Sequence, residues 1–228
     1  MSRSKKTRTK STDTGLPRHA RRLRQIKMEV ASEAARIIAT EGQHNYHAAK
    51  KKAAERVGVS ERLALPSNIE VKEALLRYQN LYGGTEHSEN LQALRETAVA
   101  AMQRIEQFHP RLVGTVLDGT AGTHSRISLH VFADSPESVI IHFLESGLPF
   151  GQEQRQIRWH DGKHRTVPLV IFELDGAVVE LTVLETVDLR QAPPSPIDGK
   201  PQTRATLADV EGLLAESTGN PLTARCSN

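Results

Sequence analysis

Apolar residues recur every three or four positions through the first hundred residues. After that they recur mostly at every second position. The chain therefore predicts helices first and a sheet second. Pro17 opens a helical run over about 18–40, with Leu23, Ile26, Val30, Ala34, Ile37 and Ile38 at helical spacing and Gly42 as its stop. A second run, His47 to Val57, carries Ala48, Ala49, Ala53, Ala54 and Val57 and closes at Gly58. A third spans Ile69 to Tyr82, after Pro66 and before Gly83-Gly84. A fourth, about 88–108, places Leu91, Leu94, Ala98, Met102 and Ile105 on one face.

The period changes at Pro110. Arg111 to Leu117 is short and rich in β-formers, and Ile127 to Phe132 alternates as a strand does. Ser135-Pro136-Glu137 is a helix start with Ser135 as cap, leading to a helix that ends near Ser146 and Gly147. Strands are predicted at Phe150–Trp159, Thr166–Leu174 and Val178–Leu184, with Asp161-Gly162 and Asp175-Gly176 as the turns between them. A Pro-rich arm follows over 190–203, and Leu207 to Ala215 closes the chain with a helix. The fold class expected is α+β, N-terminal helices followed by a small mixed sheet. The expected parts are a disordered basic tail at 1–16, a helical region at 17–84, an α/β domain at 86–215 and a flexible tail at 216–228.

Charge adds a division that the hydrophobic pattern does not show. Residues 1–60 hold fifteen Lys/Arg against five Asp/Glu, and residues 61–228 hold fifteen against twenty-two. The first part is thus +10 and the second −7. A segment of that sign attracts polyanions over about 8 Å at physiological salt. Arg21, Arg22 and Arg24 on the first helix and Lys50, Lys51 and Lys52 on the second are the candidate nucleic-acid contacts, with RNA favoured over DNA as partner. The plainer alternative is a solvated face, or one that docks on the acidic part of the same chain. No stretch approaches the roughly 18 apolar residues of a membrane span. The single cysteine, Cys226, has no internal partner for a disulfide, so a cytoplasmic location is expected.

Chemistry concentrates in residues 112–132. Val113-Gly114-Thr115 is a glycine turn after an apolar strand. Ten residues on comes Arg126-Ile127-Ser128-Leu129, preceded by Ser125 and with Gly119 between. This arrangement resembles the DNA polymerase beta-type nucleotidyltransferase superfamily. There an apolar residue and Gly-Ser or Gly-Gly precede, by nine to thirteen residues, an Asp-apolar-Asp-apolar strand. The resemblance covers about 110–185 and implies a nucleotide site at Gly114, Thr115, Gly119, Ser125, Arg126 and Ser128. It also implies Mg²⁺ with a nucleoside triphosphate, and a third carboxylate from a later strand, a place that Glu180 fits. Carboxylates two apart on a strand point to one side and clamp a divalent ion. In this chain Arg126 and Ser128 stand where that pair belongs, so Glu180 alone remains as catalytic and metal-ligating candidate. The resemblance then implies either a member that binds a nucleotide or RNA end with weak or lost transferase activity, or an active one with rearranged ligands. The residues alone also allow Gly114 and Gly119 to be ordinary turn glycines and Glu180 a surface residue of an edge strand.

Two other constellations compete. His124 and His130, on the same strand face as Ser128, could join Glu180 at a metal. Residues 31–60 resemble the opening of a TetR-type helix-turn-helix, with Ala54 and Gly58 in the turn. Pro66, however, leaves the following helix too short to read bases, which makes a plain helical hairpin the expectation.

Overall fold

The computed structural model describes residues 17–43, 45–60, 65–123 and 125–218. The tail expected at 1–16, residues 219–228 of the tail expected at 216–228, the segment after Ser60 that would read bases, and His124 lie outside the described residues, while residues 216–218 continue the last helix instead of starting a tail.

Helices α1 (Arg18–Glu41), α2 (Tyr46–Val57) and α3 (Asn68–Tyr82) build the first of two main cores. Val30, Ala31, Ala34, Ala35 and Ile37 of α1 are buried with Ala49, Ala53 and Ala54 of α2 and with Val71, Ala74 and Leu75 of α3. Alanines at these positions keep side chains short and let backbones approach. The ends are set by local chemistry. Asn45 Oδ1 accepts from the N–H groups of His47 and Ala48 at 2.9 and 3.1 Å, and Ser67 with Glu70 forms a capping box. α1 and α2 form the hairpin expected from the sequence. It is stitched on its outer side by Arg36 to Glu33 at 2.7 Å and by Arg56 to Glu33 and Glu41 at 3.1 and 2.8 Å.

Gly83-Gly84, read as a stop with the next helix beginning near residue 88, is a sharper junction. α4 (Gly84–Arg104) starts at once, because Gly84 takes φ +55° and turns the chain within one residue. A side chain at Gly83 would sit 2.5 Å from the Gln79 carbonyl oxygen and 2.7 Å from His87 Cβ. α4 belongs to the second core and ends in a 3₁₀ turn at Glu106–Phe108, short of the single helix read over 88–108.

The second core is a five-stranded mixed sheet with helices on one face. Its strands are β1 (Arg111–Val113), β2 (Ile127–Phe132), β3 (Phe150–Arg158), β4 (His164–Leu174) and β5 (Ala177–Leu184), in the order β1-β2-β5-β4-β3. β2 and β5 run parallel, with Ser128 opposite Glu180 and His130 opposite Thr182. The other three pairings are antiparallel. Arg111 to Leu117 is only half strand. Gly114, at φ +76°, breaks it, and Thr115–Asp118 becomes a single helical turn, α5. α6 (Pro136–Ser146) begins at Pro136 as expected, but Ser135 directs its hydroxyl to the Glu137 carboxylate and not to the helix N–H groups. Ile127, Leu129, Val131, Val179, Leu181 and Val183 all point into the helical layer made by α4, α6 and α7 (Leu207–Thr218).

The cores are joined beside α5. Lys72 Nζ meets Asp118 at 2.7 Å, and Gln79 Nε2 donates to the Thr120 carbonyl at 3.1 Å. Asn68 Nδ2 donates to the Pro196 carbonyl at 3.0 Å. No helix among the described residues is long and apolar enough to cross a membrane.

Candidate functional site

The sheet face away from the helices is polar at its centre, and alternation alone explains this. On β2 the residues between Ile127, Leu129 and Val131 are Ser128 and His130. On β5 the residues between Val179, Leu181 and Val183 are Glu180 and Thr182. Parallel register sets Ser128 beside Glu180 and His130 beside Thr182. Further along, this face turns apolar, and Phe132, Val167 and Leu184 make a small third cluster flanked by Ile157 and Leu189.

A cleft of about 730 Å³ opens over this face. Gly114, Ser128, His130 and Thr182 line its floor, and Arg155, Ile157, Arg158, Trp159 and His160 of the β3–β4 hairpin form one wall. The Pro-rich arm forms the other. Pro194 bridges to Pro201, Ser195 N–H donates to the Lys200 carbonyl at 2.7 Å, and Gln202 N–H donates to the Pro193 carbonyl at 2.9 Å. The arm is thus a folded loop, tied to the hairpin by His160 Nε2 and the Ala192 carbonyl at 2.7 Å. Among the described residues no carboxylate lines this cleft.

Glu180 lies beneath the cleft's edge, 3% exposed. Arg155 Nη1 stands 2.6 Å from its Oε1 and Arg126 Nη1 3.4 Å from its Oε2. Each arginine side chain is about half exposed, at 47% and 55%. One carboxylate therefore balances two guanidiniums, and the pair carries a surplus positive charge at the surface.

His130 is nearly as deeply buried as Glu180. Burial, with the nearby charges of Arg204 and Arg155, holds its imidazole down at about 3, so the ring is neutral. Arg204 Nε donates to His130 Nδ1 at 3.2 Å. A guanidinium only donates, so Nδ1 is the acceptor and Nε2 bears the ring proton. Arg204 also stacks over Phe132 at 4.9 Å and donates to the Asp188 carbonyl at 2.8 Å. Burial lowers its guanidinium to about 10, which leaves it charged at neutral pH. Arg165 covers the face of Trp159 at 4.1 Å and reaches Asp188 at 3.6 Å.

The residues singled out in the sequence separate in space. Gly114 and Ser128 meet at the cleft; a Cβ on Gly114 would lie 3.8 Å from that of Ser128. Arg126 pairs with the buried Glu180 and itself lines a separate cavity with Asp175. Thr115 lines two smaller cavities against the helical region instead. Gly119 is the left-handed cap of α5 and faces Leu91 and Arg95 of α4. Ser125 is buried, and its Oγ accepts from the Gly122 N–H at 2.9 Å, which closes the loop before β2. These last two shape the backbone and lie away from the cleft. Of the basic residues, Arg21 and Arg22 are exposed on α1. Arg24 lies near Glu70, whose carboxyl is held low first by the Ser67 N–H and further by Lys27 and Arg24. Lys50 donates to Asn68 at 2.8 Å and Lys52 pairs with Glu41 at 2.5 Å, while Lys51 is on the exposed side of α2. Arg155 and Arg158 were not legible as site residues. Their signal was charge on both faces of one predicted strand, which marks a sheet edge.

The Mg²⁺ that the resemblance implies does not fit this donor set. The only carboxylate at the expected place is engaged by two cations, and hard divalent ions need several oxygen ligands. His130 cannot join it, because its Nδ1 is taken by Arg204. Among the described residues no three His, Cys, Asp or Glu side chains gather into a metal site.

No family model and no curated protein matches the chain. The chemistry is accordingly read from the cleft itself, where every charged side chain is cationic and the floor offers hydroxyls and an imidazole N–H.

Proposed function

We propose that the protein is nucleotidyltransferase-like and binds a nucleotide or an RNA end in the 730 Å³ cleft, with transferase activity weak or lost. One observation carries this reading. Gly114, Ser128 and Glu180, which are far apart in sequence, converge on a single sheet face, beside a cleft walled by Arg155 and Arg158 and free of carboxylates among the described residues. Its volume suits a nucleotide-sized ligand. Guanidiniums and hydroxyls suit phosphate and ribose, and the exposed His160 ring stands at the far end. The weakness of the transferase step follows from Arg126 and Ser128 standing where the acidic pair would be. A cytoplasmic setting, where nucleotides and RNA are abundant, belongs to the same proposal.

The test is isothermal titration with the four ribonucleoside triphosphates and with a short single-stranded RNA. Saturable binding that disappears in Ser128→Tyr, which fills the cleft floor, is the expected result. No saturable binding up to millimolar ligand rejects the reading. Incorporation of labelled nucleotide into RNA is expected to stay near background.

A second reading, RNA binding through the basic helices, is favoured by Arg18, Arg21 and Arg22 lying exposed on the first turn of α1. Val30, Ile37 and Ala53 of these helices are core, so the test uses surface substitutions. Arg21→Glu with Arg22→Glu leaves the core intact. If the helices carry binding, the double variant weakens it and reduces the salt slope by about one unit per lost phosphate contact.

A further inference from the structure

We infer that the cleft takes its phosphate-bearing ligand without a divalent cation, through the guanidinium group of Arg155, which Glu180 holds in place beside that of Arg126. The inference rests on the reading of the cleft as a nucleotide or RNA-end site, and it replaces a bound metal ion by a side-chain cation as the positive charge that meets the phosphate. Where the resemblance implies acidic side chains gripping a metal that in turn grips the ligand, this chain presents fixed cations directly.

Three observations carry it. The first is stoichiometric. A single carboxylate, nine-tenths and more buried, serves two arginines at 2.6 and 3.4 Å, each through its Nη1. A guanidinium has five N–H donors, so most of the donors on each arginine remain, and both side chains are about half exposed. Planar forks of this kind match phosphate oxygens in pairs. The second is the composition of the cleft. Arg155 lies in its wall with Arg158, the floor carries the hydroxyls of Ser128 and Thr182 and the His130 imidazole, and no described carboxylate reaches in. Nothing there draws a cation, and two guanidiniums at the edge repel one. The third is the origin of Arg155. It comes from β3, the far edge of the sheet, and reaches over β4 to β5 to meet Glu180. Glu180 is thereby a positioning residue. It touches no ligand, and it fixes the aim of the Arg155 side chain that does.

The ligand class is a terminal phosphate monoester or polyphosphate in its uncomplexed form. Free nucleotide and the phosphorylated end of an RNA share that chemistry, so both are offered. Trp159 is the only tryptophan of the chain and lines the cleft, and its fluorescence reports occupancy. The full-length protein is titrated with ATP, and with 5′-phosphorylated and 5′-hydroxyl versions of one oligoribonucleotide, first in EDTA and then in millimolar Mg²⁺. The expected result is binding at least as tight in EDTA as in Mg²⁺. Saturation by ATP alone assigns free nucleotide as the source, and preference for the phosphorylated RNA assigns the RNA end.

Arg155→Ala should weaken phosphate binding about tenfold or more in EDTA, since a charged hydrogen-bond donor is lost. Arg155→Lys should recover part of it. Circular dichroism confirms that each variant is folded, and Arg155→Gln, which keeps length and a hydrogen-bond donor without the charge, serves if Arg155→Ala is not. Glu180→Gln keeps the shape and removes the charge that aims the arginines. Its signature is a fall in the preference for phosphorylated over hydroxyl RNA while affinity for hydroxyl RNA is unchanged; an unchanged preference removes Glu180 from the proposal. Binding that requires Mg²⁺ and is lost in Glu180→Gln makes Glu180 a metal ligand. That result overturns the inference and leaves the nucleotide reading standing. Failure to saturate in either buffer overturns both.

Discussion

The two faces of the sheet are made by the same strands and could hardly differ more. On one, Ile127, Leu129, Val131, Val179, Leu181 and Val183 are sealed under helices. On the other, Ser128, His130, Glu180 and Thr182 face a cleft or lie just beneath its edge. Moving one residue along β2 or β5 passes from the face that holds the fold to the face that lines the cleft. Stability and recognition are therefore separable by substitution, position by position, within a single strand.

The largest expected effect is on the apolar face. Leu181→Ala removes a fully buried side chain between β2 and β4 and should cost about 2–5 kcal/mol in chemical denaturation. Cleft affinity should be unchanged wherever the variant remains folded. A specific loss of affinity there would break the separation.

Next is the pH response of the polar face. The His130 imidazole stays neutral in the folded chain down to about pH 3, whereas an unfolded histidine titrates near 6.5. Between those values the unfolded state binds the extra proton, so stability falls as pH drops from about 6.5 towards 3. His130→Asn retains an acceptor for Arg204 and should flatten that part of the profile in melts taken between pH 5 and 7. Identical slopes for the two proteins would show that His130 does not contribute.

Gly114 sits between the faces, at φ +76° and ψ −151°. A Cβ there meets Ser128 only at ordinary contact distance, 3.8 Å, so the strain of Gly114→Ala is in the backbone and should cost about 1–3 kcal/mol. The smallest effect on stability is expected from Thr182→Val, a near-isosteric change on the polar face of about 1 kcal/mol at most. Ligand affinity should nonetheless fall. A variant that binds normally would show that the Thr182 hydroxyl is not a contact.

Much of this layout was legible beforehand. Alternation marked Ile127–Phe132 and Val178–Leu184 as strands, and helical spacing marked the first three helices, because burial of one face imposes a period. Failures occurred where a single backbone torsion decided the outcome. Val113-Gly114-Thr115-Val116-Leu117 has the composition of a strand, yet Gly114 turns it into a helical cap. Gly84 likewise begins a helix where a pause was expected. The site was half legible. Ser128, Arg126 and Glu180, singled out through the family resemblance, do share one sheet face, but the pairing of Arg155 with Glu180 depends on β3 and β4 folding back across β5. That is a fact of register that no local pattern carries. Gly119 and Ser125 had the right spacing and different work, shaping the loop into β2.

The parallel union of β2 with β5 also bears on when the site can exist. β3, β4 and β5 follow one another through tight reversals and can zip locally, whereas Ser128 must wait for Glu180, which arrives some fifty residues later in synthesis. The Pro-rich arm that walls the cleft emerges later still, and Ala205 beyond it bonds to Leu112 on the outer edge of β1. The complete cleft is thus among the last things this polypeptide assembles. A nascent or truncated chain ending before about residue 205 lacks it altogether, and ligand present during translation or refolding can reward only the finished fold.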